Sequence, residues 1–115
     1  MTTKEDVEKW LNDLKAKIRI YDIYFIDDRG KNQQALYDLE ISPDERKKII
    51  SKLTVKDYSE GPLAEKMRGI LPMWVFGKEV KAKEVYIKIS MGSVNKNAIC
   101  ISFHFAEFPM NYPFG

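Results

Sequence analysis

Two runs in the C-terminal third, Glu84-Val85-Tyr86-Ile87-Lys88-Ile89 and Ala98-Ile99-Cys100-Ile101-Ser102-Phe103-His104, set a phenol, an ammonium and an imidazole at alternate positions among aliphatic residues. Successive side chains on a strand point to opposite faces. Alternation therefore assigns Val85, Ile87, Ile89, Ile99, Ile101 and Phe103 to an apolar face, and Tyr86, Lys88, Ser90, Cys100, Ser102 and His104 to the opposite one. A hairpin that keeps the faces matched brings Tyr86 opposite His104 and Lys88 opposite Ser102. Cleavage of RNA by its own 2′-hydroxyl needs a base, a partner for the developing phosphorane charge and an acid for the leaving oxygen. His104, the only histidine, fits the general acid or base role, because an unperturbed imidazole titrates at about 6.5. Lys88 would meet a phosphate oxygen, and Tyr86 would orient, protonate or stack on a base. Each also has a plainer explanation: a hydrogen-bonded structural histidine, an exposed strand lysine and a half-buried packing tyrosine.

Trp74 and Phe76 offer rings on which bases could stack, although tryptophan at a strand start ordinarily marks a core position. Lys78, Lys81 and Lys83 cluster near the first strand connection, where they could meet an RNA backbone or simply decorate a polar hairpin tip. Ser102 lacks the strand-turn-helix setting of a hydrolase nucleophile. Cys100 reads as a small, partly buried side chain.

The elements that must position these groups follow from spacing. Val7, Trp10, Leu11, Leu14 and Ile18 recur at helical steps and predict an amphipathic helix over about residues 4–17. Ile20 to Ile26, β-branched and aromatic, predicts a short strand that stops at the polar turn Asp27-Asp28-Arg29-Gly30. A helix is expected over 32–39. Ser42-Pro43-Asp44-Glu45 is a capping-box start for another, which runs to about Leu53 with Arg46, Lys47, Lys48 and Lys52 on a solvated basic face. Residues 54–72 lose periodicity and predict a long surface loop. Met73 to Phe76 is a strand, Gly77 to Lys83 a connection, and the hairpin follows. The tail after His104, rich in aromatics with Pro109 and Pro113, should lie against the domain.

At 115 residues with 44% hydrophobic content, the chain can bury one core and is too short for two ordinary domains. A net charge of +2 permits nucleic-acid binding without demanding it. The charged N-terminus and the lack of any run of about 18 apolar residues predict a soluble, cytoplasmic protein with no membrane partner. One cysteine excludes an intrachain disulfide, and one histidine with it is too few for a structural zinc site, so no metal or cofactor is expected.

The order helix, strand, two helices and three strands resembles the MqsR family of type II toxins, which are RelE-like mRNA interferases. The likeness spans residues 35–104. It includes Leu53-Thr54, Asp57-Tyr58, Trp74, the Val85-Tyr86-Ile87-Lys88-Ile89 run and Ile101-Ser102-Phe103. Trp74 to Val80 and the ending Ser102 to Glu107 are similar to a longer-tailed branch. The resemblance implies an α+β fold: a RelE-like antiparallel sheet with a C-terminal three-stranded meander packed against N-terminal helices. It also implies a metal-independent endoribonuclease that cuts messenger RNA, inhibits translation and growth, and is neutralised by a cognate, DNA-binding antitoxin protein. Whether the RNA is met on the ribosome stays open. Tyr86 and Lys88 fall on the family's Tyr-x-Lys motif. His104 stands where better-known members place lysine after the Ser-Phe pair, Glu60 stands where a lysine follows the Asp-aromatic pair, and Val75 replaces a glutamine. Two readings from other classes remain beside it: a non-catalytic module that binds RNA or protein through the same sheet face, and a small interaction protein whose aromatics serve a partner.

Overall fold

A computed structural model describes residues 1–27 and 30–115, so Asp28 and Arg29 of the expected polar turn lie outside the described residues. Helix α1 spans Lys4–Tyr21. Its first turn is closed by a reciprocal box, in which the Asp6 N–H donates to the Thr3 hydroxyl at 3.1 Å and the Thr3 N–H to the Asp6 carboxylate at 2.9 Å. The helix runs four residues past the expected end, and strand β1 shrinks to Ile23–Phe25. Lys17 explains the extension: its ammonium donates to the Met91 and Ser93 carbonyls, fastening the last turns to the loop before the final strand. Ile20 is left exposed on that turn, so its β-branched character did not decide its conformation.

Helices α2 (Lys31–Leu39) and α3 (Pro43–Ser51) follow, the second opened by the expected box between Ser42 and Glu45. Arg46 departs from the expected solvated face. It is 3% exposed, its guanidinium lies 3.6 Å from the centre of the Phe25 ring, and it donates twice to the Asp27 carboxylate, at 3.0 and 3.2 Å. A planar cation can satisfy a carboxylate and an aromatic face together, which makes burial of this charge tolerable.

The expected loop over 54–72 contains a 3-10 turn, Val55–Asp57, and a strand, β2 (Tyr58–Leu63). Its periodicity is hidden because β2 is an edge strand carrying Gly61 and Pro62 and pairs with its neighbour through shifted register. Strand β3 (Met73–Val80) continues through Gly77, so the connection to β4 (Lys83–Ser90) is only Lys81 and Ala82, both at positive φ, 50° and 66°. Strand β5 (Ala98–Phe105) completes a five-stranded sheet in the order β1-β5-β4-β3-β2. The C-terminal meander β3-β4-β5 is antiparallel, as expected, whereas β1 joins β5 in parallel and makes the sheet mixed.

One face of the sheet carries Phe76, Ile87, Ile89 and Phe103, all fully buried, and packs with Val7, Leu11 and Leu14 of α1 and Ile50 of α3. Each such side chain contributes about 1.5–3 kcal/mol on burial, enough to fix which face turns inward. Among the described residues, no helix is long and apolar enough to cross a membrane.

Candidate functional site

The face away from α1 is where the polar alternation points. The register pairs Tyr86 with His104 and Lys88 with Ser102, as matched faces require. Beyond Lys88 the pairing slips, and Ile89 faces Cys100, leaving Ile101 as an extra residue in β5. The bulge reverses the alternation upstream of it. Cys100 turns into the core with no exposed surface, and Ile99, paired with Ser90, leaves the apolar face assigned to it. Burial pushes the Cys100 thiol up to about 12.

Asn32, 1% exposed at the start of α2, occupies the bulge. Its amide donates to the Ile26 and Ile101 carbonyls at 2.5 and 3.1 Å, and its carbonyl accepts from the Phe103 N–H at 2.9 Å. A single amide thus satisfies two backbone groups of the irregular strand and one just past the end of β1. It also holds the β5 segment from which Ser102 and His104 project.

The Tyr86 and His104 rings stack, with centroids 5.4 Å apart and planes 12° from parallel. Lys88 places its ammonium 5.8 Å from the centre of the Tyr86 ring and, among the described residues, forms no ion pair. The three side chains line an open cleft of about 710 Å³, together with Ser102, Ser59, Glu60 and Lys31. Its remaining wall is the tail from Glu107 to Asn111.

Local chemistry sets the proton positions. His104 Nδ1 lies 2.9 Å from the Phe105 carbonyl, which can only accept, so Nδ1 donates in this contact and Nε2 is the ring nitrogen left for another partner. Desolvation, aided by the negative charge of Glu60, raises the Tyr86 phenol above its ordinary value, so it stays protonated at neutral pH. Lys31 bonds Glu107 at 2.6 Å and holds that carboxyl below the usual glutamate range, with His104 adding a smaller pull. The cleft thus offers an unpaired ammonium, a phenol and an imidazole, with Glu60 and Glu107 at its margins. Among the described residues, no three His, Cys, Asp or Glu side chains gather where they could hold a metal ion.

The residues expected to grip RNA lie elsewhere. Trp74, 9% exposed, sits on the core side, stacked on Trp10 with centroids 5.0 Å apart. Lys78 pairs across from Val85, hence on the same side as Trp74, and its ammonium meets the Asp57 carboxylate at 3.3 Å. Lys81 donates to the Glu40 carbonyl from the β3–β4 turn, and neither it nor Lys83 lines the cleft. The reason is the length of β3: carried to Val80, it puts these lysines at the far end of a regular hairpin. Conversely, Lys31, Ser59 and the tail wall were not singled out from the sequence. The density of aromatics after His104 was the one signal available for the tail.

The chain matches no protein-family model, no curated protein and no solved structure. Its described residues form an α+β arrangement of three helices, a five-stranded mixed sheet and a polar cleft on the sheet's open face.

Proposed function

We propose that this chain is a metal-independent endoribonuclease acting on messenger RNA. In this proposal it is the growth-inhibiting toxin of a toxin–antitoxin pair, on a RelE-like fold of the kind the MqsR resemblance implies, working in the cytoplasm. The observation that carries it is the stacked Tyr86–His104 pair with the unpaired Lys88 ammonium beside it, on adjacent strands of one cleft. His104 Nε2 takes the proton of the 2′-hydroxyl as that oxygen forms a bond to the adjacent phosphorus. Lys88 balances the added negative charge on the phosphorane oxygens. The bond from phosphorus to the 5′-oxygen breaks, and the Tyr86 phenol supplies the proton that the leaving oxygen needs. The products are a 2′,3′-cyclic phosphate and a 5′-hydroxyl, and the side chains exchange their protons back through water.

The test is single-turnover cleavage of a short single-stranded RNA, with the same RNA bearing 2′-O-methylribose throughout as the control. Wild-type protein is expected to yield cyclic phosphate ends on the first and nothing on the second. His104→Ala is expected to lose about 100-fold or more in rate while keeping its affinity for the RNA. Binding without turnover in the wild type would favour the non-catalytic module that holds RNA through the same face. Arrest of growth on expression, relieved by a co-expressed partner protein, tests the toxin assignment separately.

A further inference from the structure

The segment that follows β5 is anchored to the sheet at several points. Residue Ala106 donates its N–H to the Glu84 carbonyl at 2.9 Å. The Glu84 carboxylate then accepts from the Met110 N–H at 3.2 Å and from the Tyr112 hydroxyl at 2.7 Å. Phe114 stacks on Tyr58, with centroids 5.6 Å apart. Gly77 makes the crossing possible, because a Cβ there would collide with the Tyr112 hydroxyl and the Met110 sulfur. The tail therefore runs across β4 and β3 as a fixed wall of the cleft. Yet Phe108, on that wall, is 78% exposed, with Asn111 also exposed beside the same cleft.

Anchors at Ala106 and Met110 on either side of Phe108 hold its backbone in place, so part of the entropic cost of presenting its solvent-facing ring is already met. Such a ring, a few residues from a site that would handle a phosphodiester, suits a nucleobase splayed out of a single strand, and the primary amide of Asn111 on the same cleft wall can donate to and accept from the base edge. We infer that the docked tail forms a nucleobase subsite of the cleft, in which one unpaired RNA base stacks on Phe108 and is read by Asn111. This rests on the cleft being an RNA site, as proposed above. It does not require that the RNA be cut.

The test uses the 115-residue chain and a short single-stranded RNA with 2′-O-methylribose throughout, which has no free 2′-hydroxyl to attack, so that binding is read without turnover. Affinity is measured by fluorescence anisotropy for this oligonucleotide and for a set in which each base in turn is removed to leave an abasic site. In the wild type, one abasic position is expected to cost about tenfold in affinity. In Phe108→Ala, affinity for the intact strand falls by a similar factor and the abasic penalty at that position shrinks to less than twofold. Asn111→Ala is expected to flatten the preference among bases at that position while retaining the stacking penalty. Glu84→Gln, which weakens the tail's anchor, should mimic Phe108→Ala in part. A wild type that binds in this pattern but cuts no RNA upholds the subsite and removes the nuclease assignment. A wild type that cuts RNA while Phe108→Ala retains both affinity and the abasic penalty overturns the subsite alone. Failure of the wild type to bind overturns it as well.

Discussion

At the scale of single residues, identity and environment separate groups that look alike in the sequence. Tyr86 and Tyr58 are both strand tyrosines, but Tyr58 packs in the core with its hydroxyl donating to the Gly61 carbonyl, whereas Tyr86 shares a cleft with Lys88 and His104. Arg46 is one of several cations in α3 and alone turns inward, onto Phe25 and Asp27. Removing it should be costly in a way that removing Lys48 is not. Truncating one member of a buried ion pair typically costs about 3–5 kcal/mol, and partial exposure of Asp27 to water lowers the figure here to about 2 kcal/mol. Arg46→Met is expected to destabilise the protein by that amount in urea unfolding with no change in the slope, while Lys48→Met changes stability by less than about 0.5 kcal/mol. Equal effects of the two substitutions would contradict the buried role. The inward turn was not legible in the Glu45-Arg46-Lys47-Lys48 run, because nothing local distinguishes a cation with a buried partner from one without.

At the scale of elements, the sheet shows how pattern and geometry divide the work. The alternation in β4 and the last residues of β5 correctly placed Tyr86 against His104 and Lys88 against Ser102, since a one-residue slip would have moved every aliphatic side chain into water. The same alternation misplaced Cys100 and Ile99, because a bulge adds a residue without changing the composition of the strand. Asn32, which satisfies the bulge, is 69 residues from Ile101 in sequence, so its role was invisible until the chain folded. The β3–β4 turn was likewise read as a longer connection starting at Gly77. Its residues give no turn signal, since Lys81 and Ala82 hold positive φ without the glycine or asparagine that such turns favour. Ala82→Gly should relieve that conformation and stabilise the protein by about 0.5–1 kcal/mol, read as a higher urea midpoint with the cleft's chemistry unaltered. A loss of stability would show that the turn is not under conformational strain.

At the scale of the whole molecule, three groups tie stability to alkaline pH. Burial raises Cys100 to about 12 and Tyr86 and Tyr112 above their usual values, Tyr112 also through its bond to the Glu84 carboxylate. Each holds its proton more tightly folded than unfolded. Their contribution is therefore complete below the unfolded values, 9.0 for the thiol and 10.0 for the phenols, and is lost as pH climbs through the folded ones. Thermal melts are expected to be flat with respect to these groups up to about pH 8 and to fall steadily above about pH 9, with Cys100→Ala removing the earliest part of the decline. A midpoint unchanged between pH 8 and 11 would refute this assignment. The sequence by itself determined the helices that begin with a cap, the antiparallel meander and the pairing of the site's side chains across β4 and β5. These depend on interactions a few residues apart or on a period of two that hydrophobic burial enforces. Only the tertiary structure decided that β1 joins β5 in parallel, that Arg46 is buried, that Trp74 and Lys78 lie on the far side of the sheet from the cleft, and that the tail is the cleft's wall. Each of these joins residues far apart in the chain, and a distant partner leaves no periodicity to be read in the residues it meets.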